Sequence, residues 1–125
     1  MEGNKCSTPN PAPLAEDPYQ GKFRAGYGIV DITPSDPVPM AGYGVSEKRL
    51  STRILDDLYT TCIAITDENG GTLLLYTVDI LNCFNQLIDQ MRTEVSKAFG
   101  LPYEHVLVNA THSHSSVDAT NPLPS

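Results

Sequence analysis

Residues 71–115 read GTLLLYTVDILNCFNQLIDQMRTEVSKAFGLPYEHVLVNATHSHS. The segment opens on an apolar run, Thr72–Val78, whose composition suits a strand. Phe84, Leu87, Ile88, Met91, Val95, Ala98 and Phe99 then recur at the i, i+3, i+4, i+7 spacing of one helical face. Asn82 stands where an N-cap belongs, and Gly100 followed by Pro102 supplies a stop. Val106–Ala110 is apolar apart from Asn109 and too short for a second helix, which is the pattern of a strand covered on both faces. Strand, helix and strand in that order predict a βαβ unit with parallel neighbouring strands and a right-handed crossover.

Upstream, residues 58–66 form another β-rich run, joined to the strand at Thr72 by Asp67-Glu68-Asn69-Gly70-Gly71. A five-residue connection containing Asn-Gly predicts an antiparallel hairpin. Residues 23–33 carry Ile29, Val30 and Ile32 and close on Pro34, which suits a further strand. Residues 34–53 turn to Pro, Gly and Ser and read as a long loop, an element that in compact domains is usually functional. It is expected to form one wall of a substrate pocket. The predicted fold class is α/β, a mixed β-sheet in which a β-hairpin is followed by a right-handed βαβ unit.

Composition narrows the partners. The chain has 125 residues, of which 40% are apolar, enough for one globular domain. Eight basic against fifteen acidic residues give a net charge of −7, the wrong sign for holding a phosphate backbone, so no nucleic acid partner is expected. No stretch approaches the roughly 18 apolar residues of a spanning helix, so no transmembrane segment is expected. Residues 1–22 hold four prolines and no apolar run of secretory type, and read as a flexible leader. Residues 23–116 are the main portion and residues 117–125 a tail. Cys6, Cys62 and Cys83 are odd in number and lack CxxC spacing, which supports neither a disulfide framework nor a cysteine zinc site. Cys62 and Cys83 read as small core residues.

The chemistry concentrates at the exit of the last strand. In open α/β sheets ligands gather beyond the carboxyl ends of the strands. His112 and His114 leave Val106–Ala110 at that end, and Asp79 leaves Thr72–Val78 beside them. Continued in extended form, the two histidines would share a face, because side chains alternate with period two. Imidazole is a common zinc ligand, and a catalytic zinc takes three protein ligands and leaves a place for water. The competing reading makes both histidines hydrogen-bonding residues of a small non-catalytic α/β structural or interaction domain. Asp79 reads better as a structural residue favouring a helix start, and His105 as a structural hydrogen-bonding residue. Ser115 and Ser116 beside the histidines are weak evidence for a triad, whose members come from distant segments. Asn109-Ala110-Thr111 matches a glycosylation acceptor but lies in a strand expected to be buried. Gly26-Tyr27-Gly28 precedes a strand, and Gly42-Tyr43-Gly44 lacks the lysine and helix of a phosphate loop.

Four motifs in register carry a family resemblance. They are residues 25–34 (AGYGIVDITP), 40–44 (MAGYG), 77–80 (TVDI) and 109–115 (NATHSHS). Over residues 23–115 the chain resembles the amino-terminal part of the neutral/alkaline, non-lysosomal ceramidases. The resemblance implies a zinc-dependent amidohydrolase that cleaves N-acylsphingosine or a related N-acyl lipid, built on a larger layered α/β catalytic domain. It implies that His112 is a ligand of Zn2+, that His114 is catalytic, and that Gly42, Tyr43 and Gly44 lie on the substrate side. The family's other ligands, a histidine, a glutamate and a tyrosine, and its serine nucleophile lie far downstream of such a segment. The remainder of the catalytic domain would therefore be required. A secreted or membrane-surface location is likewise implied. The chain departs from the family where Ser116-Val117 replaces Gly-Pro, which opens the substrate to other N-acyl or ester lipids.

Overall fold

A computed structural model of the chain describes residues 21–44 and 49–119. They form a mixed four-stranded sheet with one helix, a small α/β fold. The strands are β1 (Arg24–Asp31), β2 (Tyr59–Thr66), β3 (Thr72–Val78) and β4 (Val106–Ala110), neighbours in chain order. β1, β2 and β3 are antiparallel, and β4 runs parallel to β3 after the helix α1 (Asn85–Phe99) and a 3₁₀ turn, Tyr103–His105. No helix among the described residues is long and apolar enough to cross a membrane.

The hairpin forms where the sequence places it. Asp67 accepts from the amides of Asn69 and Gly71 at 2.9 and 2.8 Å, and Gly70 takes a φ of 87° that a side chain would resist. Thr66 and Thr72 face each other with their hydroxyls 2.8 Å apart, closing the first rung. β1 ends at Asp31 because its carboxylate accepts from the Thr33 amide at 2.8 Å and Pro34 follows. Thr33 Oγ1 then accepts from the Leu58 amide at 2.8 Å, which ties the loop to the start of β2.

Alternation divides the sheet. Leu74, Tyr76 and Val78 of β3 share a face with Val106, Val108 and Ala110 of β4. Ile88 and Met91 of α1 close over that face, against a core of Val78, Ile80 and Cys83. Arg92 locks the helix to the strand: its Nε donates to the Val106 carbonyl at 2.7 Å and an Nη to Tyr103 O at 3.2 Å. The guanidinium also lies 3.8 Å from the Tyr103 ring centre. Gly100 ends the helix in left-handed conformation, as expected of the stop signal.

Several expectations are corrected. β4 is covered on one face only, because α1 is the sole helix among the described residues; Leu107 and Asn109 point outward and are exposed. Asn109 is thus not buried, and burial is no reason to dismiss it as a glycan acceptor. Asn82 does not cap α1. Its side chain accepts from the Cys83 amide at 2.9 Å, and the N-cap position is Phe84, which has no side-chain cap bond. Phe99, on the expected apolar face, is the last residue of α1 and is 60% exposed. The assigned tail is engaged at its start: Val117 pairs with Met40, and the Asp118 amide donates to Pro39 O at 3.0 Å. Most of the leader and Cys6 lie outside the described residues.

Candidate functional site

The carboxyl ends of β3 and β4 build the site. Pairing continues past β4: the Thr111 amide donates to Val78 O at 3.0 Å and the His112 amide to Ile80 O at 3.1 Å. The chain then turns sharply, since His112 has a φ of 64°, the one positive value outside glycine among the described residues. A non-glycine residue in that region is strained, and such strain concentrates at functional positions. The extended path expected to align the two histidines is therefore broken at His112. The turn nonetheless brings the rings together, with centres 5.0 Å apart and planes at 73°.

His112 is exposed, and its Nδ1 lies 3.0 Å from the Leu81 carbonyl. A carbonyl only accepts, so Nδ1 is the donor, and in the neutral ring Nε2 keeps the lone pair. That is the orientation in which a ligating histidine is usually held, by a backbone acceptor behind the ring.

Asp79 does not join them. Its carboxylate accepts from the Tyr59 amide at 3.0 Å, and its own amide donates to Tyr59 O, so it is structural, but through strand pairing and not through a helix start. His105 is also structural, its Nδ1 lying 2.8 Å from Thr72 O. Among the described residues no group of three or more His, Cys, Asp or Glu side chains is arranged to hold a metal. The donor chemistry fits one imidazole position of a zinc site, at His112, and the described residues supply no complete ligand set.

The loop wraps onto the histidines from the other side. Ala41 and Ser116 are buried, and the Ala41 amide donates to Ser116 O at 3.1 Å. Gly42 then passes so close to His114 that an added Cβ would meet the ring, with Cγ at 2.6 Å. Tyr43 meets the same ring edge-on, centres 5.4 Å apart, and Arg49 lies 4.8 Å from the centre of the Tyr43 ring. Gly42 and Tyr43 thus stand beside His114, some seventy residues away in sequence, whereas Gly44 shows only its positive φ of 94°. Arg49 is an addition that spacing alone did not mark. One of its guanidinium nitrogens is buried with no hydrogen-bond partner among the described residues.

Against the turn that carries Ser113, Ser115 and Ser116 is a cavity of about 300 Å³. One wall comes from the loop, including Pro34, Val38 and Met40, and from Ile54 and Leu55 just after it, and the other from Ser113, Ser115, Ser116 and Val117. Ser116 is buried and donates to the Ser113 carbonyl at 2.9 Å, so it shapes the turn and is no free nucleophile.

No family model matches the chain, and no curated protein matches its sequence. The likeness to the ceramidases rests on the four motifs.

Proposed function

We propose that the chain carries the His-x-His portion of the active site of a zinc-dependent amidohydrolase resembling neutral ceramidase, acting on N-acylsphingosine or a related N-acyl lipid. The supporting observation is the state of His112: Nδ1 is held by the Leu81 carbonyl and Nε2 is open at the rim where β3 and β4 end. In this reading the chain is part of a larger layered α/β catalytic domain that supplies the remaining ligands and the nucleophile.

The roles follow from position. His112 would hold the metal through Nε2, with Leu81 O fixing the ring. Zinc, when bound, lowers the pKa of a coordinated water and polarises a carbonyl. His114 stands next to it, and an imidazole can both accept and donate a proton, which suits moving one to or from the amide nitrogen. Gly42 and Tyr43 fix the plane of that ring, and the loop bearing them faces the substrate.

The test is His112→Ala in the complete protein, with zinc content and ceramide hydrolysis measured together. Loss of both is expected, and retention of both would sink the reading. The competing reading, a non-catalytic domain with structural histidines, draws on the backbone hydrogen bond that holds His112 at the strand end. It requires that a chelator leave the melting temperature of the complete protein unchanged.

A further inference from the structure

We propose that Arg49 is a positioning residue for His114: its guanidinium clamps Tyr43, and Tyr43 in turn holds the imidazole in place. This rests on the amidohydrolase reading for the reaction that the imidazole serves, and on the geometry alone for the clamp.

Backbone pairing brings the three side chains to one patch. Residues 38–41 are flanked on one side by residues 49–51: Pro39 pairs with Leu50, the Met40 amide donates to Arg49 O at 2.8 Å and the Ser51 amide to Val38 O at 2.9 Å. On the other side lie residues 116–118, where Met40 pairs with Val117 and the Ala41 amide donates to Ser116 O at 3.1 Å. Arg49 opens the first flank, Tyr43 follows the middle segment, and His114 stands just before the second flank. The contacts then run in series. The guanidinium carbon of Arg49 lies 4.8 Å from the centre of the Tyr43 ring, Tyr43 meets His114 with centres 5.4 Å apart, and His114 meets His112 at 5.0 Å.

Tyr43 needs such a clamp. It is 66% exposed, so core packing does not choose its rotamer, and a free ring would turn among staggered positions. Arginine suits the task, because its planar guanidinium stacks on aromatic faces and is more weakly hydrated than an ammonium. One guanidinium nitrogen of Arg49 is buried with no hydrogen-bond partner among the described residues. Leaving a donor unpaired is costly, and the stack on Tyr43 is the contact that offsets it. A cation over an aromatic ring favours the stacked arrangement by about two- to thirtyfold, the equivalent of ~0.5–2 kcal/mol between exposed and desolvated pairs.

The experiment follows the His114 ring by NMR in the complete protein labelled at histidine, at about pH 8, where an unperturbed imidazole is neutral. His114→Gln assigns the resonance, and Tyr43→Leu gives its position without the aromatic neighbour. Arg49→Gln should carry the resonance at least about half way to that position, while His105, held by Thr72 O at the other end of the sheet, stays where it is. On ceramide, kcat should fall about fivefold or more and KM change by less than about twofold. Added to Tyr43→Leu, Arg49→Gln should lower kcat no further, because residues that act through one another are not additive. A role in stability alone would leave the resonance in place and make the two losses additive. Arg49→Lys keeps the charge without the planar stack and should move the resonance too; should Arg49→Gln fail to fold by circular dichroism, the lysine variant decides. A resonance unmoved in the folded variant, or additive losses in kcat, overturns the clamp. A moved resonance in a protein that hydrolyses no amide retains the clamp and removes the hydrolase reading; hydrolysis with an unmoved resonance does the reverse.

Discussion

At the scale of single residues, Gly42 and His114 form the most sensitive contact. Gly42→Ala places a methyl group against the imidazole and forces an L side chain into a φ of 98°. The backbone strain alone costs about 1–2 kcal/mol, and the ring must swing away from Tyr43. We expect a lower urea midpoint and, on the proposed hydrolase reading, at least a tenfold loss of kcat on a ceramide substrate in the complete protein, a loss that stability alone does not produce at low temperature. A second residue-scale effect concerns pH. Burial, with Cys62 opposite across the sheet, pushes the Tyr76 hydroxyl up to about 12, and burial raises the Cys62 and Cys83 thiols. These groups hold their protons in the folded chain after the unfolded chain has begun to release them, so their contribution is complete at neutral pH and is lost as pH rises. Stability should fall from about pH 9 upward, the unfolded thiol value, and further between 10 and about 12. Urea titrations at stepped pH check this, and a rise across that window would contradict it. His112 and His114 were legible as a pair because their spacing and the strand before them are local. The positive φ of His112 and the stacking of Arg49 on Tyr43 were not, since both depend on how the loop docks.

At the scale of elements, β2, β3, α1 and β4 could be read from the sequence because period and turn chemistry agree. The antiparallel hairpin and the parallel fourth strand appear where Asn69-Gly70 and the strand-helix-strand order put them. The helix start was misread because Asn82 satisfies the amide next to it, an alternative that short polar side chains always offer. The second covered face was misread because apolar content shows that a strand can be buried, not that anything lies over it. Arg92 was invisible to pattern and ties α1 to β4 through the Val106 carbonyl. Arg92→Met removes charge-assisted hydrogen bonds to the Val106 and Tyr103 carbonyls, and should cost about 1.5–3 kcal/mol in urea unfolding. Arg92→Lys should recover little, because an ammonium lacks the planar fork that reaches both carbonyls while stacking on Tyr103. Full recovery by lysine would mean that only the charge matters.

At the scale of the molecule, the sheet is finished on one side. Tyr27, Ile63, Leu75 and Leu107 are paired in one row across all four strands on the face away from α1, and Tyr27, Ile63 and Leu107 are 85%, 46% and 43% exposed. A row of that kind binds hydrophobic dyes and favours association. Ile63→Thr with Leu107→Thr should lower dye fluorescence and the apparent mass at high concentration, without changing the free energy of urea unfolding by more than about 0.5 kcal/mol per substitution, as for surface changes. Unchanged dye binding would place the exposed surface elsewhere. A different consequence follows from the seam where Ala41 meets Ser116 and Met40 meets Val117. The segments it joins are distant in the chain, and the seam consists of a few backbone hydrogen bonds at the margin of the sheet. Closing it waits until hairpin, helix and crossover are all in place, and opening it asks nothing of them. The amides of the seam are then expected to exchange with solvent sooner than those of the sheet beneath.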